Sequence, residues 1–452
     1  MKQPIFSISG VRGTVPDSLS PNIVFRLGIA FAKTQPKGKI FLGQDTRPTG
    51  AELLKILQQA LESQNREFID VGICPTPTAQ FEIEHGDFAG GIIVTASHNP
   101  LPYNGLKFIN SDGVFCDSTE VSAIFSKFEK QSATAEKMEP TCDAEIFLGE
   151  NHLSAILEHP IIDAKKIRKK RFKIAVDAVN GVGSVMMPNL LRKLGCEVIE
   201  LYCEPNGKFP RGAEPLPENL GVLSQTVREN SADFGVAMDP DGDRLALVDE
   251  NGNPLGEEKT LPLAVDVVLE HPASNIQHPE PSVVVNLSTS MIIESVCKKY
   301  GATLHRTEIG EINVVKQMQK LDSIIGGEGN GGVIFPEIHS GRDAFVGVAL
   351  ILQKMAQSGK TISQLSAELP NFFITKSKIE LACVDYKVML EKIKTAFDDA
   401  EIDERDGIKF SWHDRWVHIR KSNTEPIVRI YAEAPTKRES QELLAQIKKN
   451  LA

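Results

Sequence analysis

An order of strand, turn, helix and strand occurs three times along the chain, at residues 38–73, 172–203 and 282–310. In each copy an apolar strand ends in a polar residue, and a helix follows at once. The apolar residues of the first helix have the spacing of one helical face: Leu53, Leu54, Ile56, Leu57 and Leu61. Strands that alternate with helices form right-handed βαβ units with mostly parallel strands. The chain is therefore predicted to be an α/β protein.

A second pattern of strand, polar loop, strand and turn follows each repeat, at residues 86–113, 232–252 and 322–341. We interpret the repeats as three similar α/β domains with mixed or parallel sheets. The last residues break the pattern and indicate a smaller α+β domain with the order strand, helix, strand, loop, strand, helix. The predicted domain limits are 1–153, 154–255, 256–368 and 369–452. Because ligands bind at the carboxyl ends of strands in such sheets, we expect the three polar loops to meet in one central cleft.

The charge balance limits the possible partners. The net charge is −10, from 50 basic and 60 acidic residues, which argues against general binding to nucleic acid or to an anionic membrane. Local arginines and lysines could still bind an anionic small molecule.

Seven cysteines without a CxxC pair indicate reduced thiols. The N-terminus has no apolar segment of a signal peptide and no apolar run reaches membrane length, so we expect a cytoplasmic protein.

Three aspartates lie within five residues of the second polar loop: Asp239, Asp241 and Asp243, in "MDPDGDR". Hard carboxylates at this spacing suit a divalent cation, although an acidic solvated turn would have the same pattern. An EF-hand loop is a rival, but it requires glycine where Arg244 stands, and a strand rather than a helix follows. Mg²⁺, which takes few protein ligands and keeps positions for phosphate or water, fits better.

The first polar loop has Ser97 at the end of an apolar strand, in "GIIVTASHNP". A hydrolase nucleophile is one interpretation, but the GxSxG pattern is absent, and the adjacent His98 is expected to diverge from the serine on an extended chain. A serine in an ordinary turn before Asn-Pro is another. Near a magnesium loop, a serine that handles phosphate is the more natural interpretation.

At this point the chain resembles the α-D-phosphohexomutase family. "TASHNP" (95–100) is similar to the family's phosphoserine loop, and "DPDGDR" (239–244) is similar to its metal loop. The other similar segments occur in family order over nearly the whole chain: "SGVRGT" (9–14), "GQDTRPTG" (43–50), "CPTPT" (74–78), "GGEGNGG" (326–332, the sugar-binding loop) and "RKSNTEPIVRIYAE" (420–433, the phosphate-binding loop). Taken together these motifs are highly specific.

The resemblance implies a phosphoserine mechanism. Ser97 would give its phosphate to a hexose monophosphate, and the resulting sugar 1,6-bisphosphate would turn over and return its other phosphate to the serine. The implied metal ligands for Mg²⁺ are Ser97, Asp239, Asp241 and Asp243. The implied catalytic residues are Ser97, Arg12, Lys107 and His98. Among these, Arg12 and Lys107 assist proton transfer and balance charge, although Lys107 alone could equally be a surface lysine at a strand edge. Asp45 and Arg47 would position the serine loop.

The resemblance also implies two subsites for substrate. The implied binding residues are Arg244, Glu328, Asn330, Arg420, Ser422, Asn423, Thr424 and Arg429. Glu328 would accept hydrogen bonds from sugar hydroxyls, and the residues from 420 onwards would hold the non-reacting phosphate. The sugar loop departs from the commoner family form, because Asn330 stands in place of serine and Gly332 in place of histidine. His339 or Arg342 could take over the role of that histidine.

Several segments look like the phosphoglucosamine mutase branch, which interconverts glucosamine 6-phosphate and glucosamine 1-phosphate. A phosphomannomutase/phosphoglucomutase is the alternative. A phosphatase that loses the phosphate of Ser97 to water and a non-catalytic sugar-phosphate binder are rival classes. The expected partner is a hexose phosphate, with no nucleic acid and no membrane, and the chain could be a monomer or a homodimer.

Overall fold

A computed structural model of the chain describes residues 3–135, 145–271, 280–380, 386–394, 397, 399–422 and 427–451. The described residues form four sheets, and three of them share one arrangement. The predicted fold class, three similar α/β domains followed by a smaller α+β domain, is confirmed. The domain limits stay a prediction.

The first sheet is six-stranded and belongs to the N-terminal domain. Its strands are β1 (Ile5–Ser7), β2 (Gly10–Thr14), β3 (Lys39–Gln44), β4 (Phe68–Ile73), β5 (Phe88–Val94) and β6 (Tyr103–Ile109), in the order β1-β2-β6-β5-β3-β4. The accompanying helices are α1 (Pro21–Ala32), α2 (Gly50–Glu62), α3 (Thr76–His85) and α4 (Ser118–Glu129). Strand β3 runs parallel to β4 and β5, whereas β6 runs antiparallel to β5 and to β2.

The second sheet is four-stranded, in the order β10-β9-β7-β8. Its strands are β7 (Lys173–Asp177), β8 (Glu197–Leu201), β9 (Phe234–Met238) and β10 (Leu245–Val248). The helices are α5 (Glu150–Glu158), α6 (Ala164–Lys170), α7 (Gly183–Lys193) and α8 (Gly221–Asn230).

The third sheet is five-stranded, in the order β12-β11-β13-β14-β15. Its strands are β11 (Ser282–Asn286), β12 (Thr303–Thr307), β13 (Ile325–Glu328), β14 (Gly332–Phe335) and β15 (His339–Arg342). The helices are α9 (Thr260–Glu270), α10 (Ile292–Tyr300), α11 (Glu311–Leu321), α12 (Ala344–Ser358) and α13 (Ile362–Ala367).

The three sheets share a four-stranded unit, in which β6-β5-β3-β4 corresponds to β10-β9-β7-β8 and to β14-β13-β11-β12. In each unit the predicted βαβ segment gives the parallel pair, and the predicted strand–loop–strand segment gives the antiparallel pair. The loops that join these antiparallel pairs therefore occupy equivalent places, and they are the loops that carry the candidate site.

The fourth sheet is antiparallel and five-stranded, in the order β16-β20-β19-β18-β17. Its strands are β16 (Phe373–Glu380), β17 (Glu401–Asp403), β18 (Ile408–Ser411), β19 (Trp416–Lys421) and β20 (Ile427–Ala434), with helices α14 (Tyr386–Lys394) and α15 (Lys437–Leu451). This is two strands more than the sequence pattern indicated.

The largest buried apolar cluster spans the second and third domains, whereas the fourth domain has a core of its own. Charged side chains from the fourth domain meet the third domain at the cleft.

Candidate active site

Ser97 lies in the loop between β5 and β6, and hydrogen bonds to its backbone hold it in place. Its backbone has a positive φ of 50°, which is uncommon for a residue other than glycine. Its backbone N–H donates to Oγ1 of Thr95 at 2.8 Å, and that hydroxyl donates to Oδ2 of Asp45 at 2.6 Å. The serine is only 2% exposed. The turn therefore presents Oγ at a fixed point beneath the cleft.

Arg47 fixes the backbone of the same loop. Its side chain donates to Oδ2 of Asp45 at 3.0 Å. The remaining donors reach four loop carbonyls at 2.7 to 2.9 Å: those of Ser97, Asn99, Pro100 and Tyr103. A guanidinium has a rigid fork of donors, so one buried side chain can set the shape of the whole loop. The geometry gives Asp45 and Arg47 the positioning role that the sequence implied.

The three aspartates lie in the loop between β9 and β10 and are all fully buried. One carboxylate oxygen from each lies within 4.8 Å of the other two. Oδ1 of Asp239 accepts from the backbone N–H groups of Asp243 and Arg244 at 3.1 and 3.2 Å, and Gly242 turns the loop with a φ of 80°. The chain therefore folds back on itself so that alternate side chains converge on one point.

The carboxylates of this loop are unequally compensated. Lys107 on β6 donates to Oδ2 of Asp241 at 2.6 Å and to Oδ2 of Asp243 at 3.2 Å. Burial raises the pKa of Asp241, but Lys107 outweighs burial and holds that pKa below its ordinary value. Burial and then the charges of Asp243 and Asp241 raise the pKa of Asp239 well above its ordinary value. Asp239 is thus the least compensated of the three carboxylates.

The donor set fits a divalent cation. Oδ1 of Asp241 and Oδ1 of Asp243 are buried and have no hydrogen-bond partner among the described residues. Oδ2 of Asp239 lies 3.4 Å from Oγ of Ser97. Buried carboxylate oxygens without a donor are costly unless a cation binds them, and hard oxygen ligands suit Mg²⁺. These residues could hold the ion next to the serine.

His98 and Arg244 lie beside the serine on the cleft side. Nδ1 of His98 is 3.4 Å from Oγ of Ser97 and 3.0 Å from Nη2 of Arg244. Burial and then Arg244 lower the pKa of His98 well below its ordinary value, so this imidazole is neutral. The expected divergence of His98 from Ser97 is wrong, because the positive φ of the serine bends the chain and brings the two side chains together.

Arg12 on β2 also contacts the serine loop. Its Nη1 donates to Oδ1 of Asn99 at 2.7 Å, and burial lowers its pKa to about 10. Sequence reasoning missed Glu214, whose Oε1 lies 3.3 Å from Nη1 of Arg244 and 3.7 Å from Nε2 of His98. Glu214 belongs to an irregular segment between β8 and β9, and no motif in the sequence marked it.

The sugar loop joins β13 to β14, and Glu328 at its start is already well supplied with donors. Oε1 accepts from Nδ2 of Asn286 at 2.7 Å and from the N–H of Gly310 at 3.2 Å. Oε2 accepts from Nη1 of Arg342 at 2.7 Å and from Nδ2 of Asn330 at 3.4 Å. A sugar hydroxyl can bind Glu328 only in competition with the weaker of these donors.

Arg342, at the end of β15, connects the sugar loop to the metal loop. Besides Glu328, its guanidinium donates to Oδ2 of Asp243 at 2.6 Å and to Oε2 of Glu311 at 2.8 Å. A side chain on Gly332 would have its Cβ 2.4 Å from Cδ of Arg342, so Arg342 fills the space beside this glycine. His339 is buried elsewhere, with Nε2 3.0 Å from Oδ2 of Asp343. Of the two suggested substitutes for the family's histidine, only Arg342 reaches the cleft.

The phosphate-binding segment of the fourth domain faces the same cleft. Nε of Arg420 donates to Oδ2 of Asp406 at 2.9 Å, whereas its Nη2 is buried and has no partner in the described part of the chain. Nε of Arg429 donates to Oγ of Ser422 at 3.3 Å. Asn423 and Thr424 lie outside the described residues.

These groups surround one cavity of about 290 Å³ between the four domains. The predicted site residues that line it are Arg12, His98, Lys107, Arg244, Glu328, Asn330, Arg420, Ser422 and Arg429. Ser97 and the aspartates lie beneath its floor, in contact with His98, Arg244 and Lys107. The serine loop, the carboxylates and the arginines of the fourth domain thus border the same cavity.

The comparisons with known proteins agree with this architecture. Models of phosphoglucomutase/phosphomannomutase match the chain domain by domain: alpha/beta/alpha domain I at residues 3–135, domain II at 150–252, domain III at 257–373 and the C-terminal domain at 382–450. The chain is 34% identical to the phosphoglucomutase/phosphomannomutase of Thermococcus kodakarensis, with 97% of this chain and 96% of that protein covered. The chain belongs to this family of phosphohexomutases.

Another relative is the phosphoglucosamine/phosphogalactosamine mutase of Sulfurisphaera tokodaii, 31% identical with 98% of each chain covered. A Burkholderia thailandensis protein of the family has the same fold, with a TM-score of 0.83 at 23% identity over 99% of this chain and 96% of that one. Aspergillus fumigatus N-acetylphosphoglucosamine mutase, solved with GlcNAc-6P and magnesium, has a TM-score of 0.63 at 15% identity over 100% and 96% of the two chains. The predicted membership of the α-D-phosphohexomutases is confirmed.

The family is one of metal-dependent phosphohexomutases, and the three aspartates are residues of this chain that could bind the metal. The relatives are named for different sugars, so the comparison leaves the substrate within the class of hexose phosphates. Within the described ranges, no helix combines the length and the apolar character that crossing a membrane requires.

Proposed function

We propose that the chain interconverts glucosamine 6-phosphate and glucosamine 1-phosphate through a phosphoserine at Ser97 and a sugar 1,6-bisphosphate. The observation that carries this proposal is one cavity that is bordered both by the serine loop with its aspartates and by arginines of the fourth domain. A mutase must react with one end of a sugar while it holds the phosphate at the other end. Ser97 and the aspartates suit the reacting end, and the buried, unpartnered Nη2 of Arg420 suits the idle phosphate.

At the reacting end, the bond between phosphorus and Oγ of Ser97 breaks as a bond from phosphorus to a sugar hydroxyl oxygen forms. Mg²⁺ bound by Asp239, Asp241 and Asp243 would neutralise phosphoryl charge. Lys107 stays protonated, because Asp241 and Asp243 outweigh burial and keep its pKa above the ordinary value. It therefore contributes charge rather than a base.

The proton of the attacking hydroxyl must also find an acceptor. The resemblance gives Arg12 a part in this transfer and in balancing charge. Burial lowers its pKa to about 10, so its guanidinium is still charged at neutral pH and would have to release a proton before it could accept one. His98, 3.4 Å from Oγ, and Arg244, which contacts His98, would orient the phosphoryl group. In the second half-reaction the same groups act in reverse, after the bisphosphate has turned in the cavity.

At the idle end, Arg420, Ser422 and Arg429 would hold the phosphate that does not react. Asn423 and Thr424 are proposed for the same role from the resemblance alone. Glu328 would bind a sugar hydroxyl and Asn330 would support it. The fourth domain has its own core, so it could move with the phosphate as the intermediate turns.

The alternative function is that of a phosphomannomutase/phosphoglucomutase, which the name of the Thermococcus kodakarensis relative favours. The test is a turnover panel with glucosamine, mannose, glucose and N-acetylglucosamine phosphates, using protein phosphorylated by a sugar bisphosphate. Glucosamine 6-phosphate should have the highest kcat/KM. Release of inorganic phosphate at the rate of turnover would identify a phosphatase, and absence of turnover with every sugar would refute the mutase.

A further inference from the structure

Glu258 lies in a short 3-10 turn (Glu257–Lys259) before α9, and it lines the same cavity as the sugar loop. Its Oε2 is buried and has no hydrogen-bond partner among the residues described here. Its Oε1 lies 3.7 Å from Nζ of Lys376, a residue of the fourth domain. The cavity is thus lined by a carboxylate whose Oε2 lacks a hydrogen-bond donor within the described ranges, although the backbone of Ser290 also acts on this carboxylate.

The carboxylate of Glu258 lies against the sugar loop, although Glu258 belongs to a different segment of the chain. A Cβ on Gly329 would lie 2.1 Å from Oε2 of Glu258. The carboxylate therefore occupies the place that a side chain of residue 329 would take, directly after Glu328. Glycine at 329 is what lets this charge approach the loop backbone.

The charges around Glu258 do not balance locally. Glu257 and Glu258 share one close cation, Lys376, which forms an ion pair with Glu257 and stands farther from Glu258. Glu433 adds a further negative charge, but Ser290, Met291 and Trp416 donate hydrogen bonds to it. Burial raises the pKa of Glu258 well above its ordinary value, and Glu257 and Glu433 raise it further against Lys376. A second cation near Oε2 would relieve this excess.

Glu328, the carboxylate of the sugar loop itself, has no oxygen that lacks a donor. Each oxygen of Glu328 accepts two hydrogen bonds from the protein. Of the two carboxylates, Glu258 is therefore the one that can take up a new donor without losing an old one. A donor that also carries positive charge matches it best, since charge-assisted hydrogen bonds are the strong ones.

We infer that Glu258 binds the ammonium group of an amino-sugar phosphate and so sets the preference for that class over neutral sugars. This inference rests on the proposed function, because it takes a hexose phosphate to occupy the cavity. Sugars with a hydroxyl or an acetamido group at the same carbon lack the charge that Glu258 complements.

The test compares Glu258→Gln with the control Glu257→Gln. The control also removes one negative charge, but from the neighbouring carboxylate, which is already paired with Lys376. The readout is the ratio of kcat/KM for glucosamine 6-phosphate to kcat/KM for glucose 6-phosphate. Loss of a charge-assisted bond should lower this ratio roughly 10- to 100-fold in Glu258→Gln. The ratio should change less in Glu257→Gln, and turnover of N-acetylglucosamine 6-phosphate should be insensitive to Glu258→Gln.

An unchanged ratio in Glu258→Gln, or an equal fall in both variants, would overturn the inference. If Glu258→Gln does not fold, Glu258→Asp takes its place. That variant keeps the charge but withdraws it by one methylene, and its ratio should fall by a smaller factor; no fall would again refute the role of Glu258. Failure of the mutase itself has a different signature, because wild-type protein would then turn over none of the sugars.

Discussion

Two isosteric substitutions in the metal loop should have opposite effects on the metal-free protein. Asp239 has only one cation at ion-pair distance among the described residues, Nε of Arg244 at 3.9 Å. Asp243 instead pairs with Nη2 of Arg342 at 2.6 Å and with Nζ of Lys107 at 3.2 Å, and its Oδ1 lies 3.8 Å from Nε of Arg244. Asp239→Asn therefore removes a poorly compensated buried charge and keeps the Oδ1 acceptor for two backbone N–H groups. Asp243→Asn removes a charge that lies at ion-pair distance from three buried cations.

The sizes of these effects follow from the environment of each carboxylate. Breaking a buried ion pair costs about 3–5 kcal/mol, and Lys107 and Arg342 keep their other partners, so we expect about 3 kcal/mol for Asp243→Asn. In a cooperative unit of 150–250 residues this lowers Tm by about 6–12 °C. Asp239→Asn should leave the metal-free Tm equal to that of the wild type or above it.

Mg²⁺ should raise the Tm of the wild type above that of Asp239→Asn, while Asp243→Asn keeps the lowest Tm. At a concentration 100 times its Kd, a ligand stabilises the folded state by about 2.7 kcal/mol, which corresponds to a rise of about 5–10 °C in Tm. The wild type should show this rise, and both variants should lose most of it because each lacks a charged ligand. The assay is thermal unfolding in EDTA and in a Mg²⁺ titration. A metal-free Asp239→Asn protein that melts as low as Asp243→Asn would refute the assignment of uncompensated charge to Asp239.

The remaining predictions concern the serine, the idle phosphate and the interface of the fourth domain. Ser97→Ala should lose the phosphate that intact-mass and peptide mapping detect in the wild type, together with essentially all mutase activity, while its Tm changes little; wild-type turnover would exclude Ser97 as the carrier. Arg420→Ala should raise KM much more than it lowers kcat and should keep the phosphate on Ser97, and an unchanged KM would contradict the idle-phosphate site. Burial lowers the pKa of His418 from 6.5 to about 4, so its neutral form, which contacts Ser288 of the third domain at 2.8 Å, contributes stability above pH 6.5 that is lost as the pH falls toward 4. The wild type should therefore lose up to about 3 kcal/mol more than His418→Gln between pH 7 and pH 4, and parallel stability curves for the two proteins would count against this role.

The parts of the fold that sequence predicts are those with strong local patterns. The βαβ segments are visible because an apolar strand and an amphipathic helix such as α2 differ in period. The antiparallel pair after each segment is visible because a polar loop interrupts two apolar runs. One of the two additional strands of the fourth sheet, β17, escaped prediction because its three residues, Glu401–Asp403, are largely exposed and have no apolar alternation. Short edge strands are defined by their partner, here β18, rather than by their own sequence.

In the candidate site, too, residues in local motifs could be predicted, whereas contacts that depend on the path of the chain could not. Ser97, Asp239, Asp241 and Asp243 lie in compact motifs, and the equivalent loops of the repeated units bring the motifs together. Glu214 lies in an irregular loop, and its approach to Arg244 depends on a chain path that no local pattern encodes. The proximity of His98 to Ser97 depends on one backbone angle, which residue types alone did not indicate.

The glycine-rich sugar loop explains why substrate preference is the hardest property to predict from this sequence. Two of its glycines leave space that charged side chains from other segments fill: Glu258 lies against Gly329 and Arg342 against Gly332. Strand β15 pairs with β14 so that Arg342 is opposite Ile334. This pairing brings the side chain of Arg342 back to the sugar loop, where it binds Glu328. Glu258 arrives from the turn before α9, about 70 residues away in sequence. The charges that meet the sugar therefore do not come from the loop motif alone, and substituting them should alter substrate preference while the motif stays intact.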